Sequence, residues 1–160
     1  MNIREADLKD YDSIWEIFEK VIQTGDTYVF DPATPKEDLL KHWFAPYMKT
    51  FVIENANEVL GSYIIKPNQI DLGSHIANCS YMVNPKFQGQ GIGKLLCAHS
   101  IEKAKFLGYK AIQFNIVVST NIAAVKLWEK FEFKIIGTIP EGFKHSKLGF
   151  VDAYIMHRFL

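Results

Sequence analysis

Three glycines within five residues mark the stretch of this chain that is best suited to hold a ligand. They lie in Gln88-Gly89-Gln90-Gly91-Ile92-Gly93, which follows a strand-like segment ending in Asn84-Pro85 and precedes a helical pattern. Glycine lets a ligand approach the main chain without a Cβ in the way. The first turn of a helix leaves N–H groups without internal partners and carries partial positive charge. A phosphate or pyrophosphate is therefore a natural occupant.

The spacing of these glycines differs from two familiar nucleotide-binding loops. A dinucleotide-binding fold has G-x-G-x-x-G and a P-loop has G-x-x-x-x-G-K-[ST], and neither pattern is present here. The spacing is instead Q-x-x-G-x-G. Because glycine-rich turns are common, the elements around this loop must decide which ligand it holds.

Composition and charge limit the classes of protein to which the chain can belong. Its 160 residues are 48% apolar and 22% charged, which is typical of a single globular domain, residues 1–160. The formal net charge is zero, whereas a nucleic-acid-binding protein usually has a basic excess. We find no signal-peptide pattern and no apolar run of membrane-spanning length. Cys79 and Cys97 lack zinc-type spacing, so we expect no metal, reduced thiols and a cytoplasmic protein that binds neither nucleic acid nor membrane.

Alternating helix and strand patterns predict a mixed α/β sheet in the order β-α-α-β-β-β-α-β-α-β-β. The predicted strands cover residues 2–6, 50–54, 58–66, 75–83, 111–118, 134–139 and 151–159, with a loop between the last two. Helices are predicted between Asp7 and Gly25, from about Pro35 to Phe44, from the glycine loop to Gly108, and from Asn121 to about Phe131.

The apolar positions of two helices predict which of their faces are buried. In the first helix, Leu8 begins an apolar spacing that continues to Val21. In the helix after the glycine loop, Leu95, Phe106 and Leu107 extend one of two apolar faces. Two such faces predict a helix that is largely covered by its surroundings.

The strand from His75 to Val83 leads into the glycine loop, so its side chains are candidates for chemistry. Between Thr24 and Pro35, the aromatic side chains Tyr28 and Phe30 are separated by turn formers, and they either pack as core or form the wall of a pocket. Alternation along the strand places Asn78, Ser80 and Met82 on one face and His75, Cys79, Tyr81 and Val83 on the other.

Over nearly its whole length the chain resembles the GNAT superfamily of N-acetyltransferases. The element order matches, the Gln88–Gly93 loop resembles the superfamily's acetyl-CoA pyrophosphate loop, and Asn121-x-x-Ala124-x-x-Leu127-Trp128 is similar to a second signature. The stretch from Thr24 to Pro35 and the strand end at Tyr81–Pro85 look like the phosphinothricin acetyltransferase and L-amino-acid N-acyltransferase branch. The resemblance implies a mixed, mostly antiparallel sheet with splayed central strands and flanking helices. It also implies a homodimer, with the last strands or the 24–35 loop near the contact.

The resemblance implies that acetyl-CoA is the co-substrate and that its pantetheine arm lies between the splayed strands like an added strand. The strand end Tyr81, Met82 and Val83 would contact that arm, and Asn121 would hydrogen-bond it from a helix that also carries Ala124 and Trp128. The pyrophosphate would be held by Gln88, Gly89, Gln90, Gly91, Ile92, Gly93 and Lys94.

In the family the acetyl group passes directly from the thioester to an amine, so no cysteine nucleophile is required. A backbone N–H near Met82 or Val83 is the expected oxyanion donor. Asn78 stands where relatives carry a glutamate base, and Trp128 stands where many carry a tyrosine acid. Neither side chain titrates, so the catalytic pattern of the family is incomplete here.

Other side chains are candidates for the missing proton-transfer groups and for the acceptor site. His75 is either the base near the amine entrance or a strand-end hydrogen-bonding residue. Tyr154 either donates to the departing thiolate or packs in the core. Ser80 would relay water past Asn78, and the acceptor pocket would be formed by Tyr28, Phe30, His75 and Asn78.

The sequence therefore predicts an N-acetyltransferase that acts on the amine of a small molecule, an amino acid or an analogue of one. An α-amino group has a pKa of about 8, against about 10.4 for a lysine side chain, so an enzyme without a strong base should favour the α-amino group. The alternative is a non-catalytic acyl-CoA-binding sensor or partner protein on the same fold.

Overall fold

One seven-stranded sheet with helices on both faces organises the chain, and a computed structural model describes all 160 residues. The strands are β1 (Asn2–Glu5), β2 (Lys49–Asn55), β3 (Glu58–Pro67), β4 (Ile76–Val83), β5 (Ala111–Val118), β6 (Lys134–His145) and β7 (Gly149–Phe159). The helices are α1 (Tyr11–Ile22), α2 (Leu39–Trp43), α3 (Ile92–Phe106) and α4 (Ile122–Lys130).

The strand order is β1-β2-β3-β4-β5-β7-β6, and every neighbouring pair is antiparallel except β4 and β5. The order of elements along the chain agrees with the order predicted from the sequence. The mixed, mostly antiparallel sheet is confirmed, and its one parallel pair lies at the position where splayed strands were expected.

Two apolar cores pack against opposite faces of this sheet. One core lies under α3 and α4 and includes Leu96 of α3, Val125 of α4 and Cys79 of β4. The other lies under α1 and α2 and includes Trp43 of α2 and Met82 of β4. The two faces of β4 predicted by alternation therefore belong to two different layers of the protein.

The first helix begins later than its sequence pattern predicts. Asp7 caps a short 3₁₀ turn, Leu8–Asp10, by accepting a hydrogen bond from the N–H of Lys9 at 2.7 Å, and α1 follows this turn. Leu8 is 71% exposed, so its expected place on the buried face is wrong. Arg4 holds the turn from β1 with two hydrogen bonds of 2.8 Å to the carboxylate of Asp10.

Only one face of α3 is covered, which corrects the prediction of two buried faces. Leu95, Phe106 and Leu107 are exposed, with Phe106 at 81%. The predicted face fails because the sheet covers one stripe of α3 and no element packs on the other side. The buried residues of α3 are Ile92, Leu96, Cys97, Ser100, Ile101 and Ala104.

The last two strands are longer than predicted and form a hairpin in which only residues 146–148 are outside the strands. Residues such as Pro140 and Gly142, which the sequence assigned to a loop, lie within β6 as that strand shifts register between Ile139 and Phe143. The extended hairpin brings its tip to the 24–25 region, where the N–H of Ser146 donates to the carbonyl of Gly25 at 2.8 Å. No helix of the structure is long and apolar enough to span a membrane.

Candidate acetyl-carrier and acceptor site

The parallel strands β4 and β5 separate after two residue pairs and form a fork. Ile76 pairs with Ala111 and Ala77 with Ile112, and no further pair follows. At the next position the side chain of Asn78 bridges the widening gap, since its Nδ2 donates to the carbonyl of Gln113 on β5 at 2.9 Å. Asn78 therefore positions the two strands at the point where they separate, and its Oδ1 has no protein partner.

Backbone groups of β4 face this gap at every second residue. The N–H of Asn84 donates toward β3, to Leu60 at 2.9 Å, whereas the N–H of Tyr81 points away from β3. By alternation Val83 faces the gap with Tyr81, and Met82 faces β3. Of the two amides expected to act as oxyanion donor, only that of Val83 is directed at the gap, and the amide of Tyr81 joins it.

The hydroxyl of Tyr28 occupies both backbone groups of Tyr81. It accepts from the N–H at 2.9 Å and donates to the carbonyl oxygen of the same residue. Burial raises the pKa of the Tyr28 hydroxyl above its ordinary value. Tyr28 therefore lies at the centre of the site, as a neutral donor and acceptor.

The glycine loop presents unpaired amides next to the end of β4. The first internal hydrogen bond of α3 runs from the N–H of Leu95 to the carbonyl of Gly91 at 3.2 Å, and none of the amides from Gly89 to Lys94 has a protein acceptor. Gly89 and Gly91 have φ of +78° and +79°, and a Cβ on either would point into open space. The two positive φ values direct the loop amides outward, where an anion can reach them.

The other residues of this loop have distinct surroundings. Ile92 is 1% exposed and anchors the loop in the core. Gln88 lines the cavity of about 510 Å³ at the end of β4, while Gln90 and Lys94 are exposed. A Cβ on Gly93 would lie 3.4 Å from the Leu127 side chain on α4, so the glycine there relates to helix packing rather than to an open ligand face.

Asn121 caps α4 and connects it to the 24–35 loop. Its Oδ1 accepts from the N–H of Ala124 at 3.2 Å, and its Nδ2 donates to Oγ1 of Thr27 at 3.2 Å. The helix begins at Ile122, one residue later than the sequence pattern predicts, so Asn121 is its N-cap rather than its first residue. Asn121 has the geometry of a residue that can contact a ligand in the gap and fix the loop opposite it.

Four cavities meet around Tyr28, and three of them are lined by residues of β4. The largest of these three, about 510 Å³, lies between the 26–28 segment, the end of β4 and the start of α4. A cavity of about 150 Å³ lies deeper in the gap and is lined by Ala124 and Trp128. A third, of about 170 Å³, is lined by Phe30, Asn78 and Ser80. The ring of Trp128 lies 4.9 Å from the rings of both Tyr81 and Phe114 and closes the gap on the α4 side.

Two of the proposed proton-transfer residues, His75 and Tyr154, line none of these cavities. His75 precedes β4 and is exposed. It lies at the end of β4 where β4 and β5 are still paired, and its role as a base stays a prediction. Tyr154 pairs with Val117 on β5 and packs against the core beneath α3 and α4, which agrees with its structural interpretation.

The two cysteines are free and buried. Burial raises the pKa of both Cys79 and Cys97 to about 12. At neutral pH both are therefore thiols rather than thiolate nucleophiles. Cys79 lines the two smaller cavities, but its side chain adds apolar surface rather than reactivity.

The sequence did not indicate two polar residues beside the cavity of about 170 Å³ that Asn78 and Ser80 line. Asn115 lines it together with Asn78. Lys66 on β3 is directly opposite Asn78 on β4, so the two side chains share a face and their Cβ atoms are about 5 Å apart. Asn115 and Lys66 also line a neighbouring cavity of about 530 Å³. The only signal for Lys66 is the strand register, which the sequence does not supply.

The chain belongs to the GNAT acetyltransferase family, whose family model matches residues 11–133. It is 38% identical to N-acetyltransferase aca1 of Schizosaccharomyces pombe over 112 residues, which are 69% of this chain and 54% of aca1. It is also 27% identical to L-amino acid N-acetyltransferase AaaT of Escherichia coli over 161 residues, covering 98% of this chain and 96% of AaaT. The matched segment therefore spans about half of the first relative and nearly all of the second.

Solved structures agree with the family assignment. A GCN5-related N-acetyltransferase from Kribbella flavida has a TM-score of 0.94 and 39% identity, covering 99% of this chain and 97% of its own. A phosphinothricin acetyltransferase from Sinorhizobium meliloti, solved in complex with acetyl-CoA, has a TM-score of 0.88 at 19% identity, covering 99% and 88%. The family resemblance recognised from the sequence is thus confirmed.

Proposed function

We propose that this chain is an acetyl-CoA-dependent N-acetyltransferase that transfers the acetyl group directly to the amine of an amino acid or amino-acid analogue. One observation carries the proposal: the fork between β4 and β5 opens beside the unpaired amides of Gly89 to Lys94. A pantetheine arm fits the open edge of β4, and a pyrophosphate fits the start of α3. No metal is required for such a reaction.

The reaction needs an acceptor for the amine and a donor for the developing oxyanion. The amine nitrogen attacks the thioester carbonyl and a C–N bond forms. The cationic nitrogen then loses a proton to solvent, the C–S bond breaks, and the departing thiolate takes a proton from solvent. The gap-facing amide of Val83 is the donor for the oxyanion. The free Oδ1 of Asn78 and the hydroxyl of Ser80 line the cavity in which the amine N–H groups need acceptors.

No side chain around the inner cavities is a base at neutral pH. Their titratable residues are Tyr28, Tyr81 and Cys79, and burial raises the pKa of each. Asp26 and His145 line only the outer cavity, and both already accept hydrogen bonds within the protein. Nδ1 of His145 accepts two backbone N–H bonds, and Oδ1 of Asp26 accepts from Oγ1 of Thr24 at 2.5 Å. The enzyme therefore takes its amine already neutral, and we expect the rate to rise with pH through the pKa of the acceptor.

This requirement favours an α-amino group over a lysine side chain. At neutral pH the lysine ammonium is about three and a half pKa units from neutrality, which corresponds to roughly 4–5 kcal/mol. An α-amino group near pKa 8 needs only about one unit, and the carboxylate of a free amino acid raises that pKa part of the way toward the lysine value. The name of AaaT, an L-amino acid N-acetyltransferase, supports the same class of acceptor.

Lys66 supports an acceptor with a free carboxylate. It is opposite Asn78 across β3 and β4, and no carboxylate pairs with it. The cavity at Asn78 has no charged side chain of its own, and it shares the lining residue Asn115 with the Lys66 cavity. An amino acid can place its amine near Asn78 and its carboxylate near Lys66, while its side chain contacts Phe30 and Ile116.

An assay of CoA release from acetyl-CoA tests both parts of this proposal. The acceptor panel should contain free amino acids, their C-terminal amides and a blocked lysine peptide. We expect free amino acids to be the best acceptors and the lysine peptide to be poor. If the lysine peptide were the best acceptor, the proposed substrate class would be wrong.

Lys66→Met is the sharper variant. A lost charged contact lowers the apparent affinity for a free amino acid by about tenfold or more, while the matching amide should be unaffected. Lys144→Met is the matched control, because Lys144 lies in a different cavity near the 24–35 loop. If Lys66→Met lowered the apparent affinity for the free amino acid and for its amide equally, Lys66 would not contact the carboxylate.

The second candidate is an acyl-CoA-binding sensor, and the missing base is the observation that favours it. Calorimetric binding of CoA without any turnover across the amine panel would support the sensor. Turnover with any acceptor in proportion to enzyme concentration would exclude it.

We also propose a cytoplasmic homodimer. The reduced state of two buried cysteines fits the cytoplasm. The edge strand β6 and the hairpin after it expose Ile135, Ile136, Leu148 and Phe150, and a second copy of this chain can cover them. Light scattering should give twice the mass of the 18.4 kDa chain, and Ile136→Glu should reduce it to the monomer.

A further inference from the structure

We propose that Tyr28 is a latch that competes with the acyl carrier for the backbone of β4 and thereby links carrier binding to the shape of the acceptor cavity. This inference rests on the proposed function, because it concerns how acetyl-CoA enters the gap.

The hydroxyl of Tyr28 is hydrogen-bonded to the backbone of Tyr81, the residue of β4 at the middle of the edge along which an added strand would pair. It accepts from the N–H of Tyr81 at 2.9 Å and donates to the carbonyl of Tyr81. A pantetheine arm lying along β4 must bond the same N–H and the same carbonyl, since Tyr81 is the middle gap-facing residue between Cys79 and Val83. One N–H makes one good hydrogen bond, so carrier and hydroxyl cannot both be bound there.

The loop that carries Tyr28 is fixed on both sides of it. The hairpin tip holds its start, through Oγ of Ser146 donating to the carbonyl of Thr24 at 2.9 Å. Thr27 is bonded to Asn121 at 3.2 Å. Farther along, Gln23 Nε2 donates to the carbonyl of Pro32 at 2.7 Å. With these anchors retained, the side chain of Tyr28 is the part that must move when the carrier enters.

Moving that side chain changes the acceptor side of the site. Tyr28 lines all four cavities around the gap, including the one at Asn78 and Ser80. Its ring also stacks on Phe30, with centroids 6.0 Å apart and an interplanar angle of 17°. Release of Tyr28 therefore reshapes the wall against which the amine binds, and the expected order of binding is carrier first and acceptor second.

The variant Tyr28→Phe keeps the ring and removes the competing hydroxyl. We expect CoA to bind about three- to tenfold more tightly, since water replaces two protein hydrogen bonds in the free variant. Tyr11→Phe is the matched control, because the Tyr11 hydroxyl also donates to a backbone carbonyl, that of Lys36, away from the gap. Tyr11→Phe should leave the CoA affinity unchanged, and thermal melting of both variants should show that they fold.

Calorimetry then tests the link to the acceptor. In the wild type, an amino acid should give a binding heat only when CoA is present, whereas in Tyr28→Phe it should bind without CoA. CoA binding in Tyr28→Phe that is equal to or weaker than in the wild type would overturn the latch. Acceptor binding that is independent of CoA in the wild type would overturn the ordered entry. Either of these two results would leave the proposed function standing, provided that the wild type still binds CoA and acetylates amines.

Discussion

Replacement of Gly91 by alanine separates the conformational role of this glycine from its role in anion binding. Gly91 lies at the N-cap of α3 with φ of +79°, and an added Cβ has no atom within 4 Å. The left-handed conformation costs a residue with a Cβ about 1–2 kcal/mol. For a domain of this size that loss lowers the melting temperature by about 2–4 °C per kcal/mol.

Gly108 is a matched control for this substitution. It follows the other end of α3, has φ of +83°, and also has open space around an added Cβ. Gly108→Ala should therefore lose about the same 1–2 kcal/mol of unfolding free energy. The two variants differ in one respect only, because the amides beside Gly91 are unpaired and directed at the proposed pyrophosphate site.

The predicted difference appears in the affinity for CoA. Gly91→Ala strains the loop that directs the amides and places a methyl group on its open face, so we expect a loss of at least tenfold, or about 1.4 kcal/mol. Gly108→Ala should bind CoA as the wild type does. Urea denaturation measures the stability and isothermal calorimetry the affinity. If both variants bind CoA equally well, the amides from Gly89 to Lys94 do not hold its diphosphate and the reasoning is refuted.

Three further variants test contacts at the edges of the site and of the sheet. Asn121→Ala removes a helix cap, which costs about 1 kcal/mol of unfolding free energy, and it should also weaken CoA binding. Thr27→Val is the control, because it removes only the contact between Asn121 and the loop. Equal stability of Asn121→Ala and the wild type in urea would contradict the cap. The guanidinium of Arg4, followed by the N–H of Asp7, holds the pKa of Asp10 below its ordinary value of 3.8 despite burial. The stability gained from this ion pair is therefore complete above about pH 4 and is lost as pH falls through the lowered pKa of the folded state. Arg4→Met should remove this dependence and flatten the acid limb of a plot of unfolding free energy against pH. An unchanged acid limb would contradict the ion pair.

The parts of the fold that depend on local sequence could be predicted. The glycine loop and the start of α3 follow from residues within one turn of each other, and the faces of β4 follow from simple alternation. Exposure was harder to predict, since Leu8 and Phe106 are apolar and yet lie where no element covers them. The length of the last hairpin was underestimated because Pro140 and Gly142 are turn formers that a register shift can also accommodate.

The parts of the candidate site that depend on distant residues could not be predicted. The contact between Tyr28 and Tyr81 joins residues 53 positions apart, and the opposition of Lys66 to Asn78 depends on strand register. The resemblance to the family supplied the carrier side of the site, whereas the acceptor side needed the coordinates.

The sheet divides the two halves of the proposed chemistry between its faces. Lys66, Asn78 and Ser80 point toward α1, whereas Tyr81 and the capped start of α4 belong with the layer that holds the glycine loop. The gap between β4 and β5 is the place where these two layers of the protein meet. Substitutions on the α1 side can therefore change the specificity for the amine, in evolution or by engineering, without changing the affinity for the thioester donor.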